Sequence, residues 1–222
     1  SIPAISRSTK LNSMKEKIVY LILIIISLQS FELKSQGLEE DSLALIALYN
    51  STNGPNWNNN TNWLTNEPLG TWFGVQVGGG RVVKITMPDN NLDGPLPEEI
   101  GDISAMVLLD VANNSIQGTL PASIGNLTSV GSFRIDHNQI SGLPDEIGNL
   151  PYTTLDLSNN ALTTLPEGIG NMQNLVQLDV SYNQISSLPD ALVNLESLLS
   201  LNLFVNNLST LPDSLGYLPN LQ

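Results

Sequence analysis

The chain has 222 residues, 41% of them apolar and only 13% charged, and it contains no cysteine, so disulfides and thiolate chemistry are excluded. From Gln36 onward three bases, Arg81, Lys84 and Arg134, stand against 19 acids, a net charge of −16. Such a surface cannot bind nucleic acid by counterion release, and anionic membranes repel it.

In chain order, Met14-Lys15-Glu16-Lys17 and the 11-residue apolar run Ile18 to Leu28 have the basic start and short apolar core of a secretory signal. The run is shorter than the ~20 residues of a membrane span. We read residues 1–13 as an upstream extension and 14–35 as a signal peptide, with cleavage after Ser35; an uncleaved anchor is the alternative. No cysteine follows the run, which rules out a lipoprotein anchor there. Export without cysteine points to a bacterial source, since oxidising compartments favour disulfides in small domains.

Residues 36–81 read as a separate N-terminal unit. Asp41 to Tyr49 has the pattern of an amphipathic helix, preceded by acidic residues that suit a helix N-terminus. Asn53-Gly54-Pro55, an Asn-rich run from Asn58 to Asn62 and three tryptophans, Trp57, Trp63 and Trp72, follow. Val75 to Val77, the glycines Gly78 to Gly80 and Arg81 to Thr86 then predict a hairpin.

From residue 82 to 222 one pattern, L-x-L-x-x-N-x-L with aliphatic exchanges, recurs six times: Ile85 to Leu92, Leu109 to Ile116, Phe133 to Ile140, Leu155 to Leu162, Leu178 to Ile185 and Leu201 to Leu208. The asparagines Asn90, Asn114, Asn138, Asn160, Asn183 and Asn206 are spaced by 24, 24, 22, 23 and 23 residues. Alternating apolar residues such as Leu155 and Leu157 predict a short strand buried on one face. The asparagine is placed to satisfy buried backbone groups where the strand ends, forming a structural ladder. A Leu-Pro pair follows in every unit, from Leu96-Pro97 to Leu211-Pro212, and Pro there starts a short helical return without losing a needed donor. No unit of this size can bury its apolar face alone, so the units must stack.

On these residues the chain resembles the leucine-rich repeat family from about Val82 to Gln222. The resemblance implies an α/β solenoid: a horseshoe with a parallel concave β-sheet, six repeats and a partial seventh, closed by an N-terminal helix and hairpin cap. The units with Gly94-Pro95-Leu96-Pro97 and Gly118-Thr119-Leu120-Pro121 look like plant extracellular receptors, while the later ones are similar to the shorter intracellular-signalling or bacterial type. The tryptophan segment, with Trp72-Phe73-Gly74-Val75, resembles the cap of extracellular members. Plant caps commonly carry a cysteine pair there; in this chain tryptophan packing must replace it.

In this family the concave strands usually meet the partner. Residues flanking the strands are therefore expected to face outward, among them Lys84, Pro88 and Asp89, Ala112 and Asn113, Asp136 and His137, Ser158 and Asn159, Ser181 and Tyr182, and Phe204 and Val205. One column is predicted to read Thr86, Asp110, Arg134, Asp156, Asp179, Asn202, with Arg134 between two carboxylates. The exposed aromatics mark the C-terminal side as the richer surface, since Tyr and Phe anchor interfaces. The expected contact patch is Arg134, His137, Asp156, Asp179, Tyr182 and Phe204. The acids after each Leu-Pro, such as Asp145, Glu167, Asp190 and Asp213, read as solubility and helix-start charge.

The primary functional expectation is a secreted or cell-surface module that recognises a protein, peptide or glycan through its concave face. A structural or adhesive scaffold repeat of a longer protein is the alternative. A glycosidase-like pair at Asp156 and Asp179 is a third reading; one histidine, no cysteine and an open face argue against catalysis. No cofactor or metal is implied, because no calcium-loop motif is present. Leu218 to Gln222 reads as the lead-in to a further strand, so a fragment of a longer protein, or self-association through an uncapped edge, is expected.

Overall fold

Stacking of the repeats turns each strand motif into one rung of a parallel sheet. The computed structural model describes residues 37–221; the expected signal peptide and upstream extension lie outside the described residues. A helix, α1, spans 37–51, longer at both ends than its apolar pattern predicted. Ten strands follow: β1 Val75–Gly78, β2 Arg81–Thr86, β3 Asp93–Gly94, β4 Leu108–Asp110, β5 Ser115–Thr119, β6 Ser132–Arg134, β7 Gln139–Gly142, β8 Thr154–Asp156, β9 Gln177–Asp179 and β10 Ser200–Asn202. The main sheet runs β1-β2-β4-β6-β8-β9-β10, with β1 antiparallel to β2 and every later pair parallel.

A second parallel sheet, β3-β5-β7, exists only in the first three repeats, where the Gly94 and Gly118 segments and Gly142 lie. A register irregularity between Gly118 and Thr119 lets Thr119 pair with Gly142. Beyond it the motif Thr163-Thr164 has no strand.

The core is continuous. Ile85, Leu109, Phe133, Leu155 and Leu178 are buried from successive strands, and Met87, Val111, Ile135, Leu157 and Val180 lie beneath them. Burial of this apolar face is the main stabilising term. In the last repeat Leu201, Leu203, Leu208 and Leu215 are only partly buried.

The ladder asparagines bind the repeats to one another. Asn183 donates from Nδ2 to the carbonyls of Leu157, Val180 and Ser181, and its Oδ1 accepts the Leu162 N–H at 2.9 Å. Asn138 and Asn160 repeat the arrangement. Asn90 instead exchanges bonds with the Asn59 backbone and so ties the cap to the first repeat.

On the outer side each Leu-Pro opens a five-residue 3-10 turn with Pro as N-cap, at Glu98–Asp102, Ala122–Asn126, Asp145–Asn149, Glu167–Asn171, Asp190–Asn194 and Asp213–Tyr217. The acids opening these turns do more than supply charge, which corrects the sequence reading. Glu98 accepts the Ser123 N–H, Asp145 the Gly168 N–H and Glu167 the Ala191 N–H, each joining one repeat to the next. The turns also sit too close for a side chain at one slot: a Cβ on Gly148 would stand 2.0 Å from the Gly168 carbonyl oxygen, and one on Gly170 2.4 Å from that of Ala191. Val193 occupies this slot in the fifth repeat. Beyond it, Leu211 before the last turn and Tyr217 at its end are exposed.

The cap is held by aromatic packing and one ion pair. Trp57, Trp63 and Trp72 are buried, Trp57 and Trp63 meet edge-on at 4.8 Å, and Tyr49 stacks on Trp63 at 6.0 Å. Each indole N–H finds a carbonyl: Thr52, Phe73 and Glu67 respectively. Asp41, inside α1, is fully buried. It accepts two bonds from Arg81, at 3.0 and 2.7 Å, and the Val82 N–H. The hydrogen bond to Asp41 raises the Arg81 pKa further above its ordinary value.

Candidate functional site

Register in the main sheet brings Thr86, Asp110, Arg134, Asp156, Asp179 and Asn202 into one column of neighbouring pairs. The carboxylates in it are partly committed to their own loops. Asp110 accepts the Ala112 N–H, Asp156 the Ser158 N–H at 2.9 Å and Asp179 the Ser181 N–H at 2.9 Å, as Asn202 does for Phe204. These Asx turns explain why Asp and Asn recur at this slot. Asp179 spends its second oxygen on the Asn202 amide at 2.9 Å. Asp156 keeps its second oxygen without an intramolecular bond among the described residues.

Arg134 is about half exposed. It does not divide itself between Asp110 and Asp156 as the column suggested. Its Nη1 lies 3.4 Å from Asp110 Oδ2, and its Nε lies 3.7 Å from Asp136 Oδ1. Asp136 Oδ2 meets His137 Nδ1 at 3.1 Å.

Two residues on, the expectation of outward side chains fails for four repeats. Ala112, Asp136, Ser158 and Ser181 are buried. The chain leaves the sheet here and folds inward toward the asparagine ladder, so a side chain at this slot is covered by the adjacent loop. Phe204 is different: it is 63% exposed.

The next slot has a property that sequence reasoning missed. Asp89, Asn113, His137, Asn159, Tyr182 and Val205 all have φ between 51° and 55°, the left-handed region. This conformation reverses the chain so that the following asparagine points inward. Asp, Asn and His tolerate it comparatively well, and their recurrence at the slot in the first four repeats was the available signal. Tyr182 and Val205 are unfavourable there. Both are exposed, 49% and 50%.

Of the expected patch, Tyr182 and Phe204 are brought into contact, with ring centroids 5.5 Å apart and planes at 76°. Arg134 and His137 share Asp136, and Asp156 and Asp179 lie on adjacent strands. The patch runs along the open face of the main sheet. A shallow depression beside Leu64 and Trp72 belongs to the cap, far along the chain from these residues. Among the described residues no group of His, Asp and Glu is arranged to hold a metal ion, and no helix is long and apolar enough to cross a membrane.

Comparison with known proteins matches this geometry. Leucine-rich repeat family models match residues 152–208 and 106–127. Among solved structures, the ectodomain of the Arabidopsis receptor kinase HAESA, in complex with an N-terminally extended IDA peptide hormone, superposes with a TM-score of 0.65. The two are 26% identical over 84% of this chain and 33% of the receptor. The plant peptide hormone receptor RGFR1 in complex with RGF2 is 35% identical, with a TM-score of 0.55 over 62% of this chain and 23% of its own. The BIR2 ectodomain from Arabidopsis thaliana shares the fold at 22% identity and a TM-score of 0.65, covering 78% of this chain and 94% of its own. The chain thus spans a third or less of the two peptide-hormone receptors it matches.

Proposed function

We propose that this chain, a leucine-rich-repeat solenoid with a plant-receptor-like fold, is a recognition module that binds a protein or peptide partner along its concave sheet. The observation that carries the reading is the contact between Tyr182 and Phe204. Two large aromatic side chains touch each other while remaining about half in solvent or more. Tyr182 also holds a left-handed backbone that Asn or Asp would adopt at lower cost. Exposed aromatics held at such a cost are characteristic of interface anchors. The peptide-bound state of two matched receptors supports the same class of partner.

We place the module outside the cell, secreted or at its surface. The matched extracellular domains support this reading, as does the signal-like segment at 14–35. The bacterial origin rests on the absence of cysteine. A binding role is favoured over catalysis because the acids available to a glycosidase are occupied. Asp179 has both oxygens bonded within the fold, and Asp156 uses one to fix its loop. A scaffold role is the second reading, motivated by the exposed Leu211 and Tyr217 on the last outer turn.

Capture of partners from the native extracellular fluid by wild-type protein, a Tyr182→Asn/Phe204→Ser variant and an outer-face Asp190→Lys control tests the proposal. A partner retained by wild type and control but lost by the folded double variant is expected. Equal capture by all three would overturn the concave site.

A further inference from the structure

Asp136 is the one acid placed at a slot that neighbouring repeats fill with the small neutral residues Ala112, Ser158 and Ser181. The fold therefore does not require a carboxylate there. Its side chain is buried, with 8% of its surface exposed, and its Oδ1 has no hydrogen-bond partner. A buried carboxylate oxygen without a donor is costly. The nearest cation, Arg134, leaves the need unmet: its Nε stands 3.7 Å from Asp136 Oδ1, beyond the ~2.7–2.9 Å of a charge-assisted bond, and its Nη1 is 3.4 Å from Asp110. Half-exposed and stretched between two carboxylates, Arg134 is a weakly held internal cation.

The surroundings specify what would fit better. Asp110 and Asp136 lie 3.4 and 3.7 Å from the guanidinium of Arg134, and Asp156 is the register partner of Arg134 on the next strand. Asp156 retains an oxygen without an intramolecular bond among the described residues. His137, exposed beside Asp136, borders the same spot. Acceptors spread over separate repeats suit a planar group with several diverging donors rather than a compact ammonium.

We infer that Asp136 and Asp156, bordered by His137, form a receptor for an arginine guanidinium of the partner, which displaces Arg134 from the shared carboxylates. The inference rests on the concave-face reading above and deepens it: the partner presents an arginine to the middle of the sheet and an apolar residue to Tyr182 and Phe204. The protein's large negative charge favours the approach of such a partner.

His137 is the only histidine in the chain, so its ring C–H signals are an unambiguous NMR reporter. The probes are three acetylated, amidated peptides that differ only in one residue: arginine, lysine or citrulline. Saturable shifts of the His137 signals with the arginine peptide, none with citrulline, and at least several-fold weaker binding of the lysine peptide are expected. Asp136→Asn should abolish the response, and Asp190→Asn on the outer side should leave it intact. Arg134→Gln, which removes the internal competitor, should tighten arginine binding by roughly 3–10-fold. This gain cannot arise from misfolding, so it decides the matter if Asp136→Asn does not fold. No saturable shift with the arginine peptide, equal shifts with citrulline or lysine, persistence in Asp136→Asn, or weaker or unchanged binding by Arg134→Gln would each overturn the assignment. If the arginine site fails while the Tyr182→Asn/Phe204→Ser variant still loses its captured partner, only this inference falls and the concave-face reading stands.

Discussion

Tyr182 and Phe204 come from adjacent repeats and from different slots, yet their rings meet edge to face 5.5 Å apart on the exposed side of the sheet. Tyr182 reaches the contact from a left-handed backbone, φ 53°, and Phe204 from the slot that is buried in the four preceding repeats. Neither residue serves the core.

Tyr182→Asn should leave stability unchanged or raise it by up to about 1 kcal/mol, because Asn adopts the left-handed region more readily than Tyr. Partner binding should fall in the same variant. Urea denaturation alongside the capture assay checks both. A loss of 2 kcal/mol or more would show that the aromatic pair supports the fold.

Tyr152 is buried against Phe133, with centroids 5.7 Å apart, and its hydroxyl has no hydrogen-bond partner. Tyr152→Phe should therefore be neutral or stabilising by on the order of 1 kcal/mol. Burial also raises the Tyr152 pKa above the usual phenol range. The unfolded chain then releases this proton near its ordinary value of about 10 while the folded chain keeps it. Above that pH the folded state binds more protons, so stability falls as pH rises. Tyr152→Phe should remove this alkaline loss; identical slopes for both proteins in denaturation from pH 9 to 11 would contradict it.

Asn183→Ala would strand the Leu162 N–H and leave the carbonyls of Leu157, Val180 and Ser181 without its amide. A loss of about 2–3 kcal/mol is expected from the buried groups left unpaired. Asn206 makes the same kind of bonds from a part-buried position, and Asn206→Ala should cost about 1 kcal/mol. Comparison of the two by equilibrium unfolding tests whether the ladder weakens toward the last repeat.

Asp41→Ala leaves the Arg81 guanidinium and the Val82 N–H without their shared partner. Removing one member of a buried pair costs on the order of 3 kcal/mol, the lower end applying because Arg81 reaches solvent. All three tryptophans lie in the cap, so their fluorescence reads it separately from the circular dichroism of the whole chain. In the variant the fluorescence transition should move to lower urea than the dichroism transition; coincident transitions would mean that cap and repeats unfold as one unit.

The repeat architecture was legible in the sequence because every unit solves the same packing problem at nearly constant separation. Leu155, Leu157 and Asn160 recur with their counterparts in other units, and the recurrence alone implies one sheet, one ladder and a required stack. The pairing of Asp110, Arg134, Asp156 and Asp179 followed from the same periodicity. The outer glycines could have been read in this way too, since Gly101, Gly125, Gly148 and Gly170 occupy equivalent places.

Contacts that occur once have no period to betray them. The bond from Asp41 to Arg81 joins residues 40 positions apart, and only the docking of α1 on the hairpin shows that the acid is buried. Asp145 and Glu167 looked like solvated charge until the next repeat supplied their N–H donors. By itself, then, the sequence determined the stacked repeat and the residues that form its sheet, because those contacts recur in every unit. Which polar residues are covered, such as Asp136, and which aromatics touch in solvent, such as Tyr182 and Phe204, was decided only by the tertiary structure, because burial depends on how the loop of one repeat lies against the next.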